Sequence, residues 1–158
     1  MKPKLYILTL LFGLSIFPSC TKEEIKDEEY LVFGHFYGHC VGEGCIEIFR
    51  LEDDRLLEDQ KDQYPGYTTF YEGDFLELSS SRFELAENLM DYFPLDLLNE
   101  TDTVIGQPDA GDWGGLYIEY NYEGVHKYWL LDQMKSHVPE YLHGFIQKVN
   151  EVIIAVNG

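Results

Sequence analysis

The chain is expected to fold as α+β, a mainly antiparallel sheet built from hairpins with two amphipathic helices packed on one face. Three observations predict it. Runs rich in aromatic and β-branched residues come in pairs around Gly-containing connections, at 30–40 with 45–51 and at 116–122 with 125–131; such pairs read as β-hairpins. Two stretches, 83–93 and 141–153, repeat their apolar residues at helical spacing. Strands and helices do not alternate strictly, so a parallel, doubly covered sheet is not expected.

The chain opens with Lys2 and Lys4 before an uncharged apolar run, residues 5–17. That run is shorter than the roughly 20 apolar residues a membrane-spanning helix needs. A basic start, a short apolar core and the small Ser19 before a cut site read as a secretory signal. Phe17-Pro18-Ser19-Cys20 resembles the lipobox of bacterial lipoproteins, with Phe17 and Pro18 where the common form has Leu and Ala or Ser. Thr21-Lys22-Glu23-Glu24 resembles the surface-export signal of Bacteroidota lipoproteins. The resemblance covers the first 24 residues. It implies that residues 1–19 are a signal peptide and that Cys20 is lipidated. Residues 20–29 are then a lipidated cysteine and flexible tether, and 30–158 a single α+β domain on the outer membrane, facing the exterior. Each buried methylene of a lipid is worth about 0.8 kcal/mol, so two or three chains anchor stably where one would not.

Loss of the two leader lysines takes the formal charge from −18 to −20. Such a surface repels nucleic acid and anionic lipid. No nucleic-acid partner is therefore expected. The expected contacts are the membrane, through the anchor, and an unknown protein or glycan. With 45% hydrophobic and 15% aromatic residues, the chain is not disordered by composition.

If Cys20 carries lipid, Cys40 and Cys45 remain, and outside the cytoplasm a close pair is most simply a disulfide. His35 and His39 lie nearby, so a zinc site is the alternative. Pairing Cys40 with Cys45 sets Phe36 opposite Phe49 and Gly34 opposite Leu51. Val32, Phe36, Phe49 and Leu51 then share one face with the cysteines, and the histidines fall on the other. That register favours the disulfide, and no metal is expected.

The acidic stretch 52–63 reads as a turn, a short strand around Leu56 and Leu57, and a loop. Tyr64-Pro65-Gly66 is a turn signal. Residues 67–78 read as one or two strands, broken at 72–74. Ser81 with Glu84 fits a capping box opening the first helix. Phe83, Leu85, Ala86, Leu89, Met90, Tyr92 and Phe93 fall on one half of its wheel, and Pro94 ends it. Residues 101–115 are the longest loop. Val138-Pro139 opens the last helix, whose apolar residues from Tyr141 to Ile153 lie within an arc of about 140°.

Several residues are candidates for function. Trp113, Tyr117 and Trp129, with Tyr120, Tyr122 and Tyr128, could stack sugars from the second hairpin, or could be core and cross-strand pairs. Asp102, Asp109 and Asp112 could offer oxygens to calcium but lack the spacing of a calcium loop. Asp102-Thr103-Val104 resembles the O-glycosylation site of Bacteroidota secreted proteins, which implies a glycan on Thr103. No nucleophile elbow, zinc-protease helix, phosphate loop or dinucleotide fingerprint is present. No catalytic residue and no cofactor is therefore expected. A small hydrolase would require convergent carboxylates, or His126, His137 and His143 in one cleft. The leading expectation is a non-enzymatic binding or interaction module at the cell envelope, and the alternative is a glycan-binding accessory protein.

Overall fold

The structure is a computed structural model that describes residues 29–158. The expected signal peptide, Cys20 and all of the expected tether but Glu29 lie outside the described residues. Strands β1 (Tyr30–Phe36), β2 (Ile46–Leu51), β3 (Leu56–Asp59) and β4 (Phe75–Glu77) precede helix α1 (Ser80–Ala86). Strands β5 (Val104–Ile105), β6 (Gly115–Tyr122) and β7 (Val125–Asp132) follow, and helix α2 (His143–Asn157) closes the chain. All seven strands join one sheet in the order β4-β3-β2-β1-β6-β7-β5. Every pairing is antiparallel except β5 with β7. The α+β class and the hairpin-built sheet are as expected.

Alternation along the strands makes two faces. On one, Leu31, Phe33, Phe49, Leu51, Ile118 and Trp129 form one core with the apolar side of α2, from Phe145 to Val156. Ala86, Leu89, Phe93 and Leu97 join that core from α1 and the turns after it. Both helices therefore cover the same face. On the other face Val32, Phe36, Ile48, Tyr117 and Leu130 form a smaller core, and Tyr71, Phe75 and Tyr128 pack onto it.

The first hairpin has a different register from the expected one. Phe36 pairs with Ile46, Phe33 with Phe49 and Gly34 with Ile48. The slip is three residues. An odd slip exchanges faces between strands, so Phe49 and Leu51 share a face with Leu31 and Phe33 and not with Val32 and Phe36. The Cys40–Cys45 disulfide forms, but it lies in the connection beyond the last rung, where Tyr37 N–H donates to the Cys45 carbonyl (2.9 Å). A cross-link inside a loop does not fix the ladder. Gly34 explains the true register: its missing Cβ is where the Glu47 carbonyl and the Ile48 backbone pass. The disulfide closes a small loop, worth about 2 kcal/mol on the chain-entropy estimate. Cys40→Ser with Cys45→Ser should lower unfolding stability by about that amount without changing the fold, checked by urea denaturation and circular dichroism.

Helix α1 is shorter than the periodicity predicts. After Ala86 the chain tightens into three-residue turns at Leu89–Tyr92 and Leu95–Asn99. Three residues per turn line up Ala86 with Leu89, and both are fully buried. Pro94 keeps Phe93 extended. The capping box does not form, because the helix begins at Ser80 with Ser79 as its cap and Ser79 Oγ bonds Ser81 Oγ (2.9 Å). Of residues 67–78 only β4 is a strand. Residues 60–74 cross the second face as irregular chain, and buried side chains satisfy part of their backbone. The amides of Asp62 and Asp74 donate to Asp59, and that of Tyr71 donates to the Tyr117 hydroxyl. The long loop 101–115 contains β5, whose two residues run parallel to Leu130 and Leu131.

His35 is partly buried on β1, and its Nε2 meets the Gly44 carbonyl (3.1 Å). Burial lowers its pKa below 6.5, and the bond to Gly44 partly opposes this. Below that pH the unfolded chain takes up a proton that the fold resists. Stability is therefore complete above 6.5 and falls as pH drops through it, until the lowered folded pKa is reached. His35→Gln should flatten the pH dependence of the unfolding midpoint between about pH 7.5 and 5.5.

Candidate functional site

Among the described residues three carboxylates are buried: Asp59, Glu119 and Asp132, each 2–3% exposed. A buried carboxylate is tolerated only when donors surround it. The three solve that problem differently. Asp59 accepts the amides of Asp62 and Asp74 and the Tyr71 hydroxyl. Asp132 accepts the amides of Gln107 and Met134 and meets His137 Nδ1 at 2.7 Å. Both tie loop backbone to the sheet. Among the described residues Glu119 binds no backbone amide. Its Oε2 accepts the Tyr117 hydroxyl (2.5 Å), and its Oε1 accepts the Tyr30 hydroxyl (3.0 Å) and meets His126 Nε2 (2.9 Å).

The strands explain how these groups meet. Tyr117 and Glu119 are two apart on β6 and so share the second face. Val32 of β1 and Tyr128 of β7 flank Glu119. Tyr30 begins β1, with the Arg50 guanidinium over its ring at 4.0 Å. Burial, with the Glu119 charge and hydrogen bond beside it, pushes the Tyr117 hydroxyl far above its ordinary pKa. Burial first, and then the bond to Asp59, does the same to Tyr71. Both therefore stay protonated donors. Because Glu119 accepts, His126 carries a proton on Nε2. Its Nδ1 has no hydrogen-bond partner among the described residues.

His126 opens onto a groove of about 390 Å³, lined by Phe70, Asn99, Thr103, His126, Lys127 and Tyr128, among others. The groove follows the outer edge of β7. That edge is paired with β5 only at Leu130 and Leu131, so the stretch before them is left uncovered. Phe70 stacks on the His126 ring at 3.9 Å and meets Tyr128 edge-on at 5.0 Å. The Lys127 ammonium donates to the Leu98 carbonyl (2.6 Å). One wall is thus aromatic and the other polar.

The expected aromatic surface is not assembled. Trp113 is 63% exposed on its loop, whereas Trp129 is 1% exposed and Tyr117 fully buried. Alternation sends Trp129 to the helix face, against Phe93 (6.3 Å), and Tyr117 to the opposite face. Of that set, Tyr128 stands beside Phe70 in the groove, and the nearly buried Trp129 also touches its lining. Thr103 is exposed on the groove wall, and its carbonyl accepts the Leu130 amide (2.7 Å). Asp109 accepts Gly38 N–H and the Tyr64 hydroxyl, and Asp112 meets His39 Nδ1 at 2.6 Å. Those two carboxylates brace the loop that carries Trp113. Among the described residues no cluster of three or more His, Cys, Asp or Glu could hold a metal ion.

His126, His137 and His143 do not share a cleft. His126 pairs with Glu119 near the turn of the second hairpin. His137 pairs with Asp132 at the hairpin's other end, about 20 Å along the strand. His143 meets the carbonyls of Lys135 and Val138. Glu119 and Phe70 were not singled out by sequence. The signal for Glu119 is a lone acid between Ile118 and Tyr120 in an apolar strand. Phe70 carries none, because its place depends on an irregular crossing. Compared with protein-family models, with curated proteins and with solved structures, the chain matches none.

Proposed function

We propose that the protein is a non-enzymatic binding module of the cell envelope, lipid-anchored at Cys20 in the outer membrane and facing the exterior. The groove beside β7 is its ligand site. The observation that carries this reading is the groove itself: an aromatic wall, a polar wall, and a histidine held by a buried carboxylate that serves no backbone. Pockets of this size, with few placed polar groups, are the default sites for small ligands. The leader pattern of residues 1–24 supports the anchor, and the Cys40–Cys45 disulfide suits an oxidising location.

Two experiments test it. Cys20→Ser should move the protein from the membrane fraction to the soluble one, and protease added to intact cells should digest the wild type. An isotope-labelled sample titrated with a small-molecule fragment library should show amide shifts at residues 99–103 and 126–129. Shifts confined to the loop around Trp113 would move the site there.

A further inference from the structure

We infer that the groove takes a neutral polyhydroxylated ring, the terminal sugar of a glycan, and that the Glu119–His126 pair reads one of its hydroxyls. This rests on the groove being the ligand site, as proposed above.

The contrast among the buried carboxylates carries the argument. Asp59 and Asp132 are explained by the loop amides they hold. Glu119 is not, since each of its donors is a side chain. Its effect is on His126. With Nε2 held by Glu119, Nδ1 is the ring nitrogen left without a partner among the described residues, and it calls for a group able to donate or to accept a hydrogen bond. A hydroxyl is such a group. Phe70, 40% exposed, and Tyr128 add flat apolar surface beside that nitrogen, which suits the C–H face of a sugar ring. Asn99, Thr101 and Thr103 add hydrogen-bonding side chains across the groove. Charge is mixed there. The Lys127 ammonium opposes cations, and Glu100 and Asp102, which also line the groove, oppose anions. Hydroxyls and ring faces, not charge, are left as the basis of recognition.

The probe is an array of neutral and acidic oligosaccharides, read with the whole protein and followed by titration calorimetry on the glycans it retains. Neutral glycans should bind, and sialylated or sulfated ones should not. His126→Phe keeps a ring beneath Phe70 but removes both ring nitrogens, Nδ1 toward the groove and Nε2 toward Glu119, and should weaken binding about tenfold. A second readout needs no variant: in the side-chain 15N spectrum the His126 Nδ1 signal should move when the glycan is added. Equal affinity in wild type and His126→Phe, or an Nδ1 signal unmoved at saturation, would overturn the inference. If no neutral glycan binds at millimolar concentration while fragments still shift groove amides, the sugar is wrong and the groove stands. If neither binds, both fail.

Discussion

Replacing Glu119 by alanine is expected to cost about 3 kcal/mol of folding stability. The loss is not the pair energy with His126, which is partly exposed and can turn to water. It comes from the Tyr117 hydroxyl, fully buried and donating to Glu119 Oε2. Without Glu119 that hydroxyl keeps its proton and has no acceptor of comparable strength. Glu119→Gln keeps the shape and an acceptor oxygen, so it should cost about 1 kcal/mol. Urea unfolding of the two variants measures both. A Glu119→Ala loss below that of Glu119→Gln would mean that the network closes over the gap.

The second large effect is at Gly34. An alanine there would place its Cβ 2.0 Å from the Glu47 carbonyl oxygen and 2.7 Å from Ile48 Cα. Both obstacles are backbone of the neighbouring strand, so no side-chain rotation relieves the clash. Strands β1 and β2 would have to separate in the middle of the sheet. The expected cost is about 4 kcal/mol or more, at the limit of what single substitutions do, and the protein should fail to accumulate in folded form. Gly44→Ala is the control. A Cβ there meets nothing within 4 Å, so its stability should change by less than about 0.5 kcal/mol.

Much of the fold was legible because hydrophobic period is local. The runs at 30–36, 46–51, 115–122 and 125–132 carry their own signal, as does the apolar side of α2. The register was not legible. It was inferred from a cysteine pair that lies past the ladder, while the residue that sets it, Gly34, gives no signal until its partner is known. Strand β5 is two residues long and makes sense only beside β7. The periodic stretch 83–93 kept Ala86, Leu89 and Phe93 buried but left Leu85 and Tyr92 exposed; its helix ends at Ala86, and the tighter turns after it do not keep a period of 3.6.

The site was less legible for the same reason. Alternation on β6 and β7 should have separated Tyr117 from Trp129, since a strand cannot aim neighbours in opposite registers at one surface. Glu119 was visible as a charge in an apolar strand. Its meeting with Tyr30 depends on β1 lying beside β6, a contact between residues 89 apart in sequence. Phe70 reaches His126 on a segment whose backbone is held by side chains from elsewhere, and a pattern within the segment cannot reveal that.

The most direct test sets two exposed aromatics, Phe70 and Trp113, against each other. Phe70→Ala and Trp113→Ala are compared by titration calorimetry against a glycan retained by the wild type. Phe70 belongs to the groove, and Trp113 to the loop braced by Asp109 and Asp112. Phe70→Ala should weaken binding about tenfold, the order expected for one stacked ring, and Trp113→Ala should leave it unchanged. The reverse result, with binding lost at Trp113 and kept at Phe70, would contradict a ligand site beside β7 and place recognition on the loop.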